Sequence, residues 1–315
     1  MTESDRKGKG VNFEFLKQML YPFKPVLVPV WNCAHQTGYW LAEQGGALAS
    51  GRLETCVVCG KFGPLIVRTR AVPEKLKTLW ELSARQGAAL TRKEGLLCTH
   101  CQAKLRCMRI SEVILELFPA KLGGPAERSI AAWVATQKAQ GLTLAEFNRI
   151  DGLHEQLVSL PGLQYSEFFE GVIPGQTVQG IQCEDLTHLT YADEQFDLVL
   201  SSETLEHVPD LAVALQEIAR VLRPGGYHIF TIPRRPDVAR SFTRAQHNST
   251  GALEILVPPL LHHPGGDTGY PVFTEFGADV ASLFEAAGFD AEERFGPLTD
   301  DNFAQVWVTR KRSKP

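Results

Sequence analysis

Two Cys-x-x-Cys pairs, Cys56 with Cys59 and Cys98 with Cys101, constrain this chain more than any other feature. Each pair can turn two thiolates toward one point, and two such turns complete a tetrahedral four-sulfur site of the structural zinc kind. Gly60, directly after Cys59, suits the tight turn because glycine accepts a positive φ. The rival readings are free cysteines or a redox pair. The 38 residues between Cys59 and Cys98 exceed the usual spacing of a zinc ribbon, so the insert is expected to fold as its own helix. Val72 to Leu90 has that spacing, with Leu76, Leu79, Trp80 and Leu82 on one side. Cys33, near His35, has no partner pair, and Cys107 and Cys183 read as small buried apolar groups. His100 is not expected to be a fifth ligand. The opening MTESDRKGKG lacks the apolar core of a signal peptide. The expected location is therefore the cytoplasm, where paired cysteines point to metal before disulfide.

With 44% hydrophobic and 22% charged residues, the 315-residue chain can bury a sizeable core. Stretches such as Phe196 to Leu200 and Ile255 to Leu261 are far shorter than the roughly 20 residues a membrane span needs. The expected organisation is a partly irregular segment over 1–52, a four-cysteine module over 53–118, a linker and helix over 119–143, and an α/β domain over 144–315. Ser111 to Leu117 reads as a short helix before the breaker Pro119-Ala-Lys-Leu-Gly-Gly-Pro125. Beyond it, strands at Leu163 to Ser166, Val178 to Cys183, Phe196 to Leu200, Tyr227 to Ile232 and Ala304 to Thr309 alternate with helices at Asp210 to Leu222 and Ala278 to Ala287. That alternation is the pattern of a parallel sheet with crossover helices.

The charge is uneven: 19 basic against 11 acidic residues up to Arg128, and 13 against 25 after it. Lys61, Arg68, Arg70, Arg92, Lys93, Lys104, Arg106 and Arg109 surround the cysteines and would suit phosphate contacts, although a charge excess is more often a solvated face. Few aromatics interleave with them, which weakens a base-stacking surface.

The run Cys183-Glu-Asp-Leu-Thr-His-Leu-Thr-Tyr-Ala-Asp-Glu-Gln-Phe-Asp-Leu-Val-Leu-Ser-Ser-Glu-Thr-Leu-Glu-His-Val-Pro-Asp210 resembles the class I S-adenosylmethionine-dependent methyltransferases of the type-11 kind. The register continues through Glu217-Ile-Ala-Arg-Val-Leu-Arg-Pro-Gly-Gly226 and Phe230-Thr-Ile-Pro233, so the resemblance spans roughly Leu144 to Arg310. It implies a Rossmann-like methyltransferase sheet behind the zinc-binding module, with S-adenosylmethionine as cofactor beside zinc. A carboxylate after the second strand, here Glu167, would meet the ribose. Asp185, in the Glu184-Asp185-Leu186 segment after the third strand, would meet the adenine. The plain alternative for both is a helix cap or solvated turn. Ser201 and Ser202 fall at the end of the fourth strand, and Glu203, Glu206 and His207 follow. His207 could be catalytic or could merely hold the loop.

One departure falls where the family carries a Gly-x-Gly loop after its first strand: this chain has Asp151-Gly152, a single glycine. A Cys-x-x-Cys module in front and a similarly reduced loop are shared with a subset of methyltransferase-like proteins. The chain resembles that subset in Lys93-Glu-Gly-Leu-Leu-Cys-Thr-His-Cys101, Arg106, Pro259-Leu-Leu-His262, Asp267 and Phe276-Gly277.

The expected activity is methyl transfer to a small-molecule or carbohydrate-like acceptor. His262 and His263 are candidate bases, Asp267 could orient one of them, and His262 is preferred, with His263 left facing solvent. The alternatives are a zinc-braced scaffold with a catalytically eroded methyltransferase domain, or an RNA methyltransferase using the basic front module.

Overall fold

The computed structural model describes residues 52–119, 128–263 and 269–313, which fall within one compact unit. Asp267, Cys33 and nearly all of the 1–52 segment lie outside the described residues. The front of the described chain is built on its cysteine turns. Strands β1 (Arg52–Thr55), β2 (Phe62–Val67) and β3 (Leu96–Cys98) form an antiparallel sheet in that order. Cys56 to Cys59 links β1 to β2, and Cys98 to Cys101 follows β3. Both turns close alike: Gly60 at φ 72° and Gln102 at φ 62° take the left-handed position after the second cysteine. Their amides donate to the carbonyls of Cys56 and Cys98 at 2.8 and 2.9 Å.

Apolar spacing predicts one helix over Val72 to Leu90, but two form, α1 (Glu74–Leu79) and α2 (Ala84–Gly95). The break is local chemistry. Glu81 sits at φ 51°, and Ser83 starts a new helix with a reciprocal cap, its hydroxyl accepting from the Gln86 amide while the Gln86 side chain accepts from the Ser83 amide. Next come α3 (Leu105–Leu117), longer than the expected Ser111 to Leu117, and α4 (Ile130–Gln137). The first amides of α4, Ile130 and Ala131, donate to the carbonyls of Val57 and Val58, so this helix starts on the first cysteine turn.

The main sheet contains β4 (Leu144–Phe147), β5 (Leu163–Glu167), β6 (Thr177–Val178), β7 (Ile181–Cys183), β8 (Phe196–Ser202) and β9 (Leu222–Thr231). Helix α5 (His154–Leu157) follows β4, and α6 (Leu211–Val221), capped by Asp210, joins β8 to β9. Three short antiparallel pairs come next: β10 (Phe242–Thr243) with β15 (Thr274–Glu275), β11 (Ala245–His247) with β12 (Leu253–Ile255), and β13 (His262–His263) with β14 (Tyr270–Pro271). Helix α7 (Val280–Ala286), β16 (Phe289–Arg294) and β17 (Val306–Lys311) complete the described chain.

Eight strands lie in the order β16-β17-β9-β8-β4-β5-β7-β6. β4, β5, β7, β8 and β9 pair in parallel, and β17 is antiparallel to both neighbours. Counted from β4, with the β6 hairpin arm left aside, the parallel strands run 3-2-1-4-5. This is the doubly wound pattern, whose order reverses between β4 and β8. The strand expected over Val178 to Cys183 is instead the β6–β7 hairpin, because Gln179 and Gly180 take φ 51° and 85° and make a two-residue turn.

Side chains alternate across this sheet and both faces are covered. Leu144, Leu198, Leu200, Val306 and Val308 join a core with α3, α4 and the cysteine turns, whereas Ala145, Phe147, Val199, Phe230 and Trp307 pack with α6 and α7. The four-cysteine module therefore belongs to the layer that covers one face. Its contact at Gly152 is close: that residue has φ 75°, and a Cβ there would lie 2.5 Å from the backbone N and Cα of Ala103. Gly152→Ala is expected to cost about 2–4 kcal/mol, from left-handed strain plus overpacking. Gly171→Ala, at φ 76° with nothing within 4 Å, should cost only the backbone part, about 1–2 kcal/mol. Equal urea midpoints for the two variants would contradict this seating of the knuckle.

Candidate functional site

The carboxyl ends of β4, β5, β7 and β8 converge where doubly wound sheets bind ligands. After β4, Asn148 occupies the left-handed region at φ 61°, a conformation asparagine tolerates better than most residues. With Gly152 it gives the loop two left-handed residues although the sequence has one glycine. Inside the loop, buried Glu146 accepts from the Ile150 amide at 2.8 Å and contacts His154 Nδ1 at 2.6 Å. Burial raises the Glu146 carboxyl above its ordinary value although His154 opposes this. Neither Asn148 nor the Glu146–His154 pair was expected; a polar, left-handed-tolerant residue after a buried strand was the available signal. Gly152 is buried and Asp151 exposed.

At the tip of β5, Glu167 Oε1 accepts from the Arg149 amide at 2.9 Å and from Tyr165 Oη at 2.6 Å, tying β5 to the β4 loop. Glu184 is buried, and its carboxylate is taken up by Gln182, by the Thr190 amide and by the Thr190 hydroxyl. Its direct role is to hold the turn that follows. Asp185 is half-buried: Oδ1 accepts from the amide and hydroxyl of Thr187 at 2.8 and 2.7 Å, whereas Oδ2 accepts no hydrogen bond from the described residues. Leu186 is buried beneath it.

At the end of β8, Ser201 Oγ lies 3.0 Å from buried His228 Nε2, and Ser202 Oγ lies 2.8 Å from Thr231 Oγ1. The module reaches this edge. Arg106 donates to Ser202 Oγ and, at 3.2 Å, to Glu94; Lys93, 2% exposed, donates to Glu203 at 2.8 Å. Arg109 donates to the Ala304 carbonyl at 2.7 Å. Lys93, Arg106 and Arg109, grouped by sequence as phosphate-contact candidates, are thus engaged inside the chain.

Residues Leu205–His207 form one 3₁₀ turn after β8. His207 Nδ1 stands 2.8 Å from the Pro271 carbonyl, a bond that requires its proton and turns Nε2 toward Glu206, 3.5 Å from Oε1. His263 Nδ1 approaches the same oxygen at 3.4 Å. The expected orientation of the histidine pair is reversed: His262 is exposed, and His263 turns inward with a side chain 14% exposed. Strand alternation is the reason, because adjacent residues of β13 point to opposite sides. Burial alone would raise Glu206 and lower His263. The approach of His207 and His263 to the carboxylate outweighs burial, leaving Glu206 below and His263 above its ordinary value.

The four cysteine sulfurs converge. Cys56 and Cys101 Sγ are 3.8 Å apart, and Cys59 and Cys98 Sγ 3.9 Å. Sulfurs each about 2.3 Å from a tetrahedral zinc lie about 3.8 Å apart, so the thiols have the spacing such an ion requires. A cavity of about 780 Å³, lined in part by Thr69, Lys77, Ser83 and Thr91, lies within the module and not at the carboxyl edge.

Residues 166–230 match the type-11 family described as "Methyltransferase domain". A ubiquinone biosynthesis O-methyltransferase of Thiobacillus denitrificans is 34% identical over 109 residues, 33% of this chain and 43% of that protein. Methyltransferase GfsG of Streptomyces halstedii is 50% identical over 42 residues, 13% of this chain and 15% of that protein. The chain thus spans less than half the length of these curated relatives. Among solved structures, an S-adenosylmethionine-dependent methyltransferase from Mesorhizobium loti is 18% identical with a TM-score of 0.34, over 57% of this chain and 98% of that one. With residues 166–230 at the centre of a sheet of 3-2-1-4-5 strand order, this chain carries a segment of the type-11 methyltransferase domain behind a four-cysteine cluster.

Proposed function

We propose that the chain transfers the methyl group of S-adenosylmethionine to an oxygen of a small-molecule or carbohydrate-like acceptor, with a structural zinc in Cys56, Cys59, Cys98 and Cys101. The observation that carries this reading is the type-11 match over 166–230, which ends on the strands and loops of the carboxyl edge. The acceptor atom is taken from relatives named O-methyltransferases, including a fatty-acid O-methyltransferase of Mycolicibacterium smegmatis that is 46% identical over 50 residues. On this reading, Asp185 Oδ2 and Glu167 receive the adenosine, and the left-handed Asn148 and Gly152 let the loop backbone approach the methionine part. Transfer is an in-line displacement. When bound, S-adenosylmethionine would supply an electrophilic methyl group to the acceptor oxygen, whose proton a base of the site would take up. Catalysis of such a step comes mainly from positioning.

Calorimetric titration with S-adenosylhomocysteine tests the cofactor assignment. Micromolar binding is expected, and Asp185→Ala should weaken it about tenfold, the scale of one or two lost hydrogen bonds to a buried polar ligand. An unchanged affinity would remove Asp185 from the site. A second reading, a zinc-braced scaffold, is favoured by the seating of Arg106 and Lys93 on the β8 edge. No binding by the parent protein would select it.

A further inference from the structure

Glu206 has no exposed surface, and among the described residues neither of its carboxylate oxygens has a hydrogen-bond partner. An ionised carboxylate left so costs several kcal/mol. An imidazolium partner would ordinarily close to about 2.7–2.9 Å in a charge-assisted hydrogen bond. His207 and His263 instead hold off at 3.5 and 3.4 Å, without hydrogen-bond geometry. Two nitrogen or oxygen ligands each about 2.0–2.1 Å from one tetrahedral ion lie about 3.4 Å apart, which matches that spacing.

The surroundings agree. The three ligand atoms lie within 4.8 Å of one another. His207 donates its far nitrogen to the Pro271 carbonyl, the arrangement that fixes the tautomer and orientation of metal-binding imidazoles. Nearby carboxylates are already matched: Glu203 by Lys93 at 2.8 Å, and Glu275 by Arg244 at 2.9 Å. The Trp80 ring stands edge-on to His263 at 6.2 Å, and Tyr270 flanks His207 at 5.8 Å. Among the described residues, Glu206 thus faces only the two imidazole nitrogens of His207 and His263.

We infer that Glu206, His207 and His263 bind one divalent first-row metal ion of the zinc kind, separate from the four-cysteine site. Three protein ligands leave a position open, as in catalytic zinc sites. The ion's role rests on the proposed methyl transfer: an acceptor hydroxyl in the open position loses its proton more readily, as water does on zinc. This takes over the task otherwise given to a histidine base.

Metal content tests the site without any activity measurement. The full chain, equilibrated with micromolar Zn2+ and desalted, is expected to carry two zinc ions by mass spectrometry, whereas Glu206→Gln and His263→Ala should each carry one. One zinc in the parent, or two in both variants, overturns the site. Where a variant does not fold, X-ray absorption of the Co2+-loaded parent decides. A nitrogen and oxygen shell at about 2.0–2.1 Å beside the sulfur shell at about 2.3 Å supports the second ion, and a sulfur shell alone overturns it.

Discussion

Cys98→Ser is expected to release the zinc proposed for the four-cysteine cluster and to lower stability more than any other single change named for this chain. Binding energy at structural zinc sites is about 10–16 kcal/mol in isolated peptides and is available only to the folded state. A serine in place of one thiolate forfeits a large part of that, on the order of 5 kcal/mol or more, against a total domain stability of about 5–15 kcal/mol. The loss should spread beyond the knuckle. Cys56 and Cys98 share one core with Ile114 and Trp133 of the covering helices and with Leu198 and Ile229 of the sheet, and α4 begins on the carbonyls of Val57 and Val58. Thermal unfolding followed by circular dichroism should show a much lower or broadened transition, with one zinc equivalent lost. An unchanged melting temperature would refute the bracing role.

Arg106→Met should have the next largest effect. Glu94 has 19% of its side chain exposed and faces Arg106 at 3.2 Å, with Lys93 and Lys104 each at 3.8 Å. Burial pushes the Glu94 carboxyl up, but Arg106 and the two lysines outweigh it and hold it down to about 2, against an ordinary value of 4.5. Removing one partner of a buried ion pair costs about 3–5 kcal/mol, and the loss here should fall at the low end, because Glu94 loses its hydrogen-bonded partner but keeps Lys93 and Lys104 at 3.8 Å. Because the folded value lies below the unfolded one, the stability tied to Glu94 is fully present above pH 4.5 and fades as the pH falls toward 2. The difference between parent and Arg106→Met should therefore narrow over that acid window. Glu94→Gln in the same chain should recover part of the loss at neutral pH. Strictly additive penalties in the double mutant would show that Arg106 does not act through Glu94.

Elements with short-range rules were legible before the fold was seen. The cysteine pairs, the Gly60 turn, the helix starting at Asp210 and the strand ending at Ser202 each depend on a few neighbouring residues, and the structure has them. Errors arose where two local signals competed. The apolar spacing over Val72 to Leu90 hid the Ser83–Gln86 cap, and reading Val178 to Cys183 as one strand passed over the Gln179-Gly180 turn. The histidine pair shows another limit. Which of His262 and His263 turns inward depends on the register of β13 against β14, and a shift of one residue exchanges them.

By itself, the sequence determined the parts: a four-thiol cluster, a doubly wound sheet and a type-11 segment with acidic residues at its strand ends. Tertiary structure alone decided how they combine. It showed Gly152 to be small because Ala103 packs against it, and it spent the front module's Lys93 and Arg106 on the β8 edge. It also brought His263 to Glu206 and His207, which lie more than fifty residues earlier in the chain. The physical reason is range: turns and caps are fixed by hydrogen bonds between near neighbours, whereas burial, close approach and charge matching depend on which distant surfaces the core brings together.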